Sequence, residues 1–190
     1  MAKEKTEKNG SDKLTIGELI KDIVIAIVIA FIIVQFIKPT IVMESSMEPN
    51  FYERDYLLVS RMAYKFDKMP QKGDVIIFKS DLQTEDGKDK LLIKRVIGLP
   101  GDQITIQDGN VSINGELDDQ SFTSEGYTPG DIDVTVPEGE LFCMGDNRPV
   151  SIDSRSEEVG CVEMGRVVGK AVFRAFPFNK IGRIVNPYQQ

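Results

Sequence analysis

Histidine is absent from the chain. That absence alone removes Ser-His-Asp and Cys-His catalysis, along with the zinc motifs built on imidazole. Cysteine is scarce: Cys143 and Cys161 are the only two, too few for a four-thiolate zinc site within one chain. Two readings stand for them, a disulfide in an exporting compartment or two small buried apolar residues, and sequence spacing cannot place their Cβ atoms. The unpaired reading is preferred. An excess of positive charge is also lacking. Lys and Arg number 23 against 30 Asp and Glu, a net charge of −7. Nothing here matches the basic footprint that neutralises nucleic-acid phosphates, so no nucleic-acid partner is expected. No metal and no cofactor are expected either. Proton transfer near neutral pH must then fall to a carboxylate, a tyrosine or a lysine of lowered pKa.

What is present divides into two parts. Apolar residues make up 41% and charged residues 28% of the 190, the balance of one globular domain with an appendage. Residues 1–14 are polar, charged and turn-rich and are read as disordered. From Ile23 to Ile37 the chain runs IVIAIVIAFIIVQFI, with Gln35 its one polar side chain. A helix of about fifteen residues covers roughly 22 Å, short of the roughly 30 Å hydrocarbon core. Leu19 and Ile20 before the run and Ile41 and Val42 after it can lengthen the span, with Lys21 and Lys38 snorkelling at the two surfaces. The following KPTIVMESSM has no small-residue cleavage site, which argues for an uncleaved anchor over a removable signal. A helix apolar on every face also fits poorly in the core of so small a soluble domain. Lys3, Lys5, Lys8, Lys13 and Lys21 precede the run, so the positive-inside rule places the N-terminus in the cytoplasm. The expected organisation is a cytoplasmic tail at 1–18, a transmembrane anchor at 19–42 in a lipid bilayer, and an extracytoplasmic domain at 43–190.

Beyond Pro39 the pattern becomes one of strands. DYLLVS, GDVIIF, KLLIKRVIGL, QITIQ, NVSING, ELFCMG and RVVGKAVFRAF are short and rich in Val, Ile and Phe. Turn signals at Gly73-Asp74, Asp86-Gly87, Asp108-Gly109, Asn114-Gly115 and Pro129-Gly130 separate most of them. The expected fold is mainly β, an antiparallel sheet domain preceded by a single N-terminal transmembrane helix. QITIQ-DGN-VSING reads as a hairpin turning on Asp108-Gly109-Asn110. Residues 118–133 read as a long polar surface loop.

Three segments carry candidate chemistry. Ser45-Ser46-Met47-Glu48-Pro49 follows the apolar run, and Pro49 restricts the turn that presents a hydroxyl. In Leu91-Leu92-Ile93-Lys94-Arg95-Val96, strand alternation sets Lys94 on a face with Leu92 and Val96. Either that lysine guards a sheet edge against aggregation or it is a desolvated amine whose charged form burial disfavours. Lowering its pKa from about 10.4 to about 8 takes roughly 3 kcal/mol of differential destabilisation. A neutral lysine is then able to take a serine proton. The third segment, Gly145-Asp146-Asn147-Arg148-Pro149-Val150-Ser151-Ile152-Asp153-Ser154-Arg155, is either a solvated turn with weak ion pairs or, if buried, a rigid paired support.

Together and in this order SSMEP, ERDYLLVSR, KGDVIIF, IKRVIGLPGD and GDNRPVSIDSR closely resemble the bacterial type I signal peptidases, from about Ser45 to Arg155. The resemblance implies a serine endopeptidase with a Ser/Lys dyad that removes signal peptides from exported preproteins after small residues, of the Ala-x-Ala type. By it, Ser46 is the nucleophile and Lys94 the general base. Ser151 matches the serine that orients the lysine, and Asp146, Arg148, Asp153 and Arg155 match the ion-pairing brace. Val42, Met43, Met47 and Ile93 flank the dyad and are the candidates for lining shallow apolar substrate pockets. The short stretch from about 103 to 141 implies a small inserted β lobe, as in Gram-positive-type members.

Two positions depart from the family pattern. Glu44 stands where Ser or Gly is usual, and an ionised carboxylate cannot donate to an oxyanion and repels it. It is expected to point away, leaving the backbone N–H of Ser46 as the main donor. Asn50 stands where Thr is usual and has no reading. Self-cleaving repressors share the Ser/Lys chemistry but would carry a DNA-binding helical domain in place of the apolar run. A related pilus-assembly or conjugation peptidase and a non-catalytic tethered β module are the remaining rivals.

Overall fold

A proline sets the first boundary of the fold. The structure, a computed structural model, describes residues 16–66 and 68–189; the expectations for 1–14, including Lys3, Lys5, Lys8 and Lys13, lie outside them. Helix α1 (Ile16–Phe36) has 21 residues, about 31 Å at 1.5 Å per residue, the thickness of a hydrocarbon core. By length and composition it suffices to cross a membrane. It starts earlier and stops earlier than the expected 19–42. Pro39 cannot continue a helix, and its ring drives Lys38 into extended backbone. Residues after Phe36 therefore form strand β1 (Ile37–Ile41), antiparallel to β2 (Tyr56–Ser60) with Lys38 opposite Val59. Ile41 and Val42 do not lengthen the apolar helix: Val42 is a core residue. The chain divides into two units, Met1–Gln35 and Phe36–Gln190.

In the second unit the remaining strands are β3 (Val75–Gln83), β4 (Asp89–Gly98), β5 (Gln103–Gln107), β6 (Asn110–Ile113), β7 (Glu116–Leu117), β8 (Ile132–Thr135), β9 (Glu140–Met144), β10 (Val162–Glu163), β11 (Val167–Phe176) and β12 (Gly182–Arg183). One sheet runs β1-β2-β11-β3-β4-β9-β10, with β12 paired to β11, and a smaller one runs β7-β6-β5-β8. All pairings are antiparallel. Pro39 sits on an edge strand, where its missing N–H leaves no ladder bond unmade.

The run Val75-Ile76-Ile77-Phe78 shows why the large sheet is buried on both faces. Val75 and Ile77 join one cluster with Met47, Leu57 and Val59, while Ile76 and Phe78 join another with Leu92, Val96 and Cys143. Period-two alternation requires that split. A third cluster packs Ile97, Phe142 and Met144 of the large sheet against Ile104, Ile106 and Val111 of the small one. The small sheet closes at Thr135, a few residues short of the expected lobe end at about 141, and β9 belongs to the large sheet. The β5–β6 turn is a residue tighter than expected. Gln107 pairs with Asn110, leaving Asp108 (φ 51°) and Gly109 (φ 80°) as the two left-handed residues of the loop, as a type I′ turn demands. The cysteines are unpaired, Cys143 buried and Cys161 half-buried.

Candidate active site

Ser46 sits in a single 3-10 turn, Ser45–Met47. Met47, fully buried in the core, holds that turn down; burying such a side chain contributes about 1.5–3 kcal/mol. The Phe51 N–H closes on the Met47 carbonyl at 2.9 Å. From the other side the 145–147 segment clamps the turn. Asn147 N–H donates to the Ser46 carbonyl at 3.0 Å, and its Nδ2 donates to the Ser45 carbonyl at 3.1 Å. Gly145 permits this approach, since a Cβ there would lie 2.4 Å from the Ser46 carbonyl oxygen and 2.2 Å from Ser151 Oγ.

Lys94 reaches the same point from the middle of the large sheet. Its strand β4 lies between β3 and β9, so the edge-guard reading does not apply. It stands opposite Ile76, and its face-mates Leu92 and Val96 belong to the same apolar cluster as Ile76. The side chain is 1% exposed, and Nζ donates to Ser46 Oγ at 2.7 Å. Burial pulls the amine below its ordinary value; the carboxylates of Asp153 and Glu44 oppose that shift. Ser46 itself is buried at 8% exposure.

Of the four charges in the third segment, Asp146, Arg148 and Asp153 are buried and Arg155 is half-buried. Asp146 takes its partner from β4: Arg95 Nε and Nη2 donate to its two oxygens at 2.8 and 2.6 Å, and Arg95 Nη1 caps the Gly73 carbonyl at 3.0 Å. Asn50 Nδ2 donates to Asp146 at 2.9 Å and to the Phe122 carbonyl at 2.7 Å, which gives that residue a role. Asp153 accepts Arg155 Nε at 2.8 Å and the Gly145 N–H at 2.9 Å. Among the described residues Arg148 has no carboxylate partner. It donates to the Gly145 carbonyl at 3.0 Å and to Thr128 Oγ1. The Phe122 ring lies 4.8 Å from the Arg95 guanidinium and 5.9 Å from that of Arg148. Burial lowers Arg148 to about 10, with Asp146 opposing, so it stays charged at neutral pH. Residues 118–133, expected on the surface, thus bury Thr128 and place Phe122 over two arginines. Ser151 departs from expectation: its Oγ is buried and, among the described residues, has no hydrogen-bond partner, so no bond to Lys94 is formed.

A family model described as signal peptidase, peptidase S26, matches residues 16–176. The chain belongs to that family. A signal peptidase I of Bacillus licheniformis is 35% identical over 186 residues, covering 92% of this chain and 96% of its own. A signal peptidase IB of Staphylococcus aureus strain COL is 30% identical over 194 residues, covering 92% and 97%. A solved signal peptidase I of Enterococcus faecalis V583 is 34% identical, covering 54% of this chain and 97% of that one, with a TM-score of 0.44. This is an enzyme of the signal peptidase I type.

In this family member a cleft of about 680 Å³ opens at Ser46. Val42, Met43, Met47 and Ile93 all line it. Val42 and Met47 are buried and form its floor, Ile93 is half-buried, and Met43, 77% exposed, stands at the rim. Glu44 also lines the cleft but turns its carboxylate to Lys90 in an ion pair. Sequence reasoning passed over Arg95, Gly145, Phe122 and Thr128. Arg95 had a usable signal. Alternation puts it on the face opposite Lys94, and a second cation inside a central strand requires a buried carboxylate.

Proposed function

We propose that this enzyme removes N-terminal signal peptides from exported preproteins at the outer surface of a membrane, with Ser46 as nucleophile and Lys94 as general base. The observation that carries the reading is a buried amine, whose apolar surroundings pull its pKa down, 2.7 Å from the hydroxyl of Ser46. A neutral Lys94 accepts the Ser46 proton as Oγ attacks the scissile carbonyl carbon. The resulting ammonium then protonates the departing amine, leaving the signal peptide esterified to Ser46. Neutral again, Lys94 takes a proton from water as the water oxygen attacks the ester, and the ammonium returns that proton to Ser46 Oγ as the acyl–oxygen bond breaks. No step calls on a metal or a cofactor.

The oxyanion falls to the Ser46 backbone N–H, and the Glu44–Lys90 pair supports a Glu44 turned from that point. Asp146, Arg148, Asp153 and Arg155, with Arg95, act as the brace, and Ser151 as a positioning hydroxyl. The apolar floor of Val42 and Met47, with Ile93 and Met43, suits small residues before the scissile bond, as in Ala-x-Ala. Helix α1 is the anchor, the tail before it lies in the cytoplasm and the unit after it outside. The lobe at 103–136 is an accessory.

The test is cleavage of an Ala-x-Ala preprotein by the full chain in detergent, beside folded Ser46→Ala and Lys94→Ala variants. Both variants are expected to lose cleavage, and a chelator is expected to change nothing. Activity retained by Ser46→Ala would sink the mechanism.

A further inference from the structure

A second cavity of about 790 Å³ adjoins the cleft and shares Lys88, Asp89 and Leu91 with it. Its charge is one-sided. Lys38, Arg61, Lys65, Lys79 and Lys88 line it against one carboxylate, Asp89. Among the described residues none of these five cations forms a salt bridge, in a chain of net charge −7. They come from separate segments: β1, the turn after β2, β3 and the β3–β4 turn. Like charges brought together by folding repel one another, and an anion between them relieves that repulsion. The cavity also has an apolar side, made by Leu91, Val167 and Val168. Its ligand is therefore an anion with an apolar end.

The position of Lys38 identifies the source of such a ligand. It is the second residue past the end of α1, so along the chain its Cα lies within about 8 Å of the helix end. A helix that spans the bilayer brings this edge of the cavity into the layer of lipid phosphates.

We propose that this cavity binds the headgroup phosphate of an anionic phospholipid, with Leu91, Val167 and Val168 against the glycerol and the first acyl carbons. The proposal rests on α1 being a membrane anchor and is independent of the chemistry at Ser46. A bound lipid also steadies Lys88, Asp89 and Leu91, the wall shared with the cleft.

The test uses the full chain in phosphatidylcholine nanodiscs with and without phosphatidylglycerol, reading the lipid retained on the protein by native mass spectrometry. Wild type and Ser46→Ala are both expected to retain phosphatidylglycerol over phosphatidylcholine, which separates this site from catalysis. Lys65→Gln/Lys79→Gln is expected to lower that retention on the order of 20-fold, about fivefold per charge removed. Cleavage in pure phosphatidylcholine should be unchanged, which reports that the variant folds. Wild-type retention should also fall steeply with salt. Equal retention of both lipids, or no change in the double variant, overturns the proposal. Displacement of phosphatidylglycerol by inorganic phosphate alone assigns the cavity to a free anion and overturns the lipid source. A chain that fails to enter nanodiscs at all overturns the anchor reading, and this site with it.

Discussion

Lys94 and Arg95 are neighbours on one strand, both cationic by type and both almost fully buried at 1% and 2% exposure, yet the fold treats them in opposite ways. Lys94 faces an apolar cluster and touches one neutral hydroxyl. Arg95 is met by a two-pronged carboxylate and a backbone carbonyl. The difference follows from the two groups. An ammonium can answer burial by releasing its proton, whereas a guanidinium keeps its charge through the neutral range and must be paired. One strand thus carries an amine of lowered pKa on one face and a buried ion pair on the other. The second holds the frame for the first, because Asp146 adjoins the Gly145 and Asn147 that clamp Ser46.

Exchanging the two treatments should produce the largest effect. Lys94→Met removes the base and keeps the volume, so the rate is expected to fall about 10²- to 10⁴-fold, while thermal stability holds or rises because no amine is left to desolvate. Lys94→Arg should be equally inactive and less stable, since its charge cannot be discharged. Single-turnover cleavage and thermal unfolding in detergent read both. A stable, active Lys94→Arg would show that discharge is not what the site requires.

Next in size is the ion pair. Arg95→Met or Asp146→Leu leaves a buried charge alone and is expected to cost about 3–5 kcal/mol of stability. The double variant should cost less than the sum of the two, a coupling that a denaturation cycle measures. Additive losses would mean that Arg95 and Asp146 stabilise the fold through separate contacts.

The same contrast governs how far the sequence could be read. Alternation and turn residues made the strands legible, and the SSMEP and IKRVIGLPGD segments pointed to the two groups that meet at 2.7 Å. Pro39 was visible too, but apolarity outweighed it, and β1 was assigned to the anchor. The partners of the charges were not legible. Asn50 and Asp146 lie 96 positions apart and Arg95 and Asp146 51 apart, and neither periodicity nor composition encodes such meetings. Arg148 bonds to Thr128, 20 positions away and across the lobe boundary. At Gly145 the space that Ser46 and Ser151 occupy is what demands a glycine, and that too is invisible in the sequence.

Ser151 gives a smaller test of the same idea. Its Oγ is buried and unbonded in the free enzyme, so Ser151→Ala should leave stability unchanged or slightly higher. If the hydroxyl steadies Lys94 once the lysine becomes charged, kcat should fall about 10- to 100-fold, the worth of one hydrogen bond to a charged group, with KM unchanged. A change confined to KM would place Ser151 in substrate binding instead.

The smallest expected effect isolates the field at Lys94 from its contacts. The Glu44 carboxylate favours the charged amine, against the dominant effect of burial. Glu44→Gln removes that support and frees Lys90, whose positive charge presses in the same direction as burial. Both changes favour the neutral amine, so the acid limb of the pH–rate profile should move to lower pH with the plateau unchanged. The side chains of Lys90 and Glu44 are 37% and 46% exposed, so solvent screens them and high salt should shrink the displacement. A limb that moves to higher pH would mean that Glu44 acts on Lys94 by some route other than its charge. A raised plateau would instead place the carboxylate close enough to the reacting carbonyl to oppose the oxyanion.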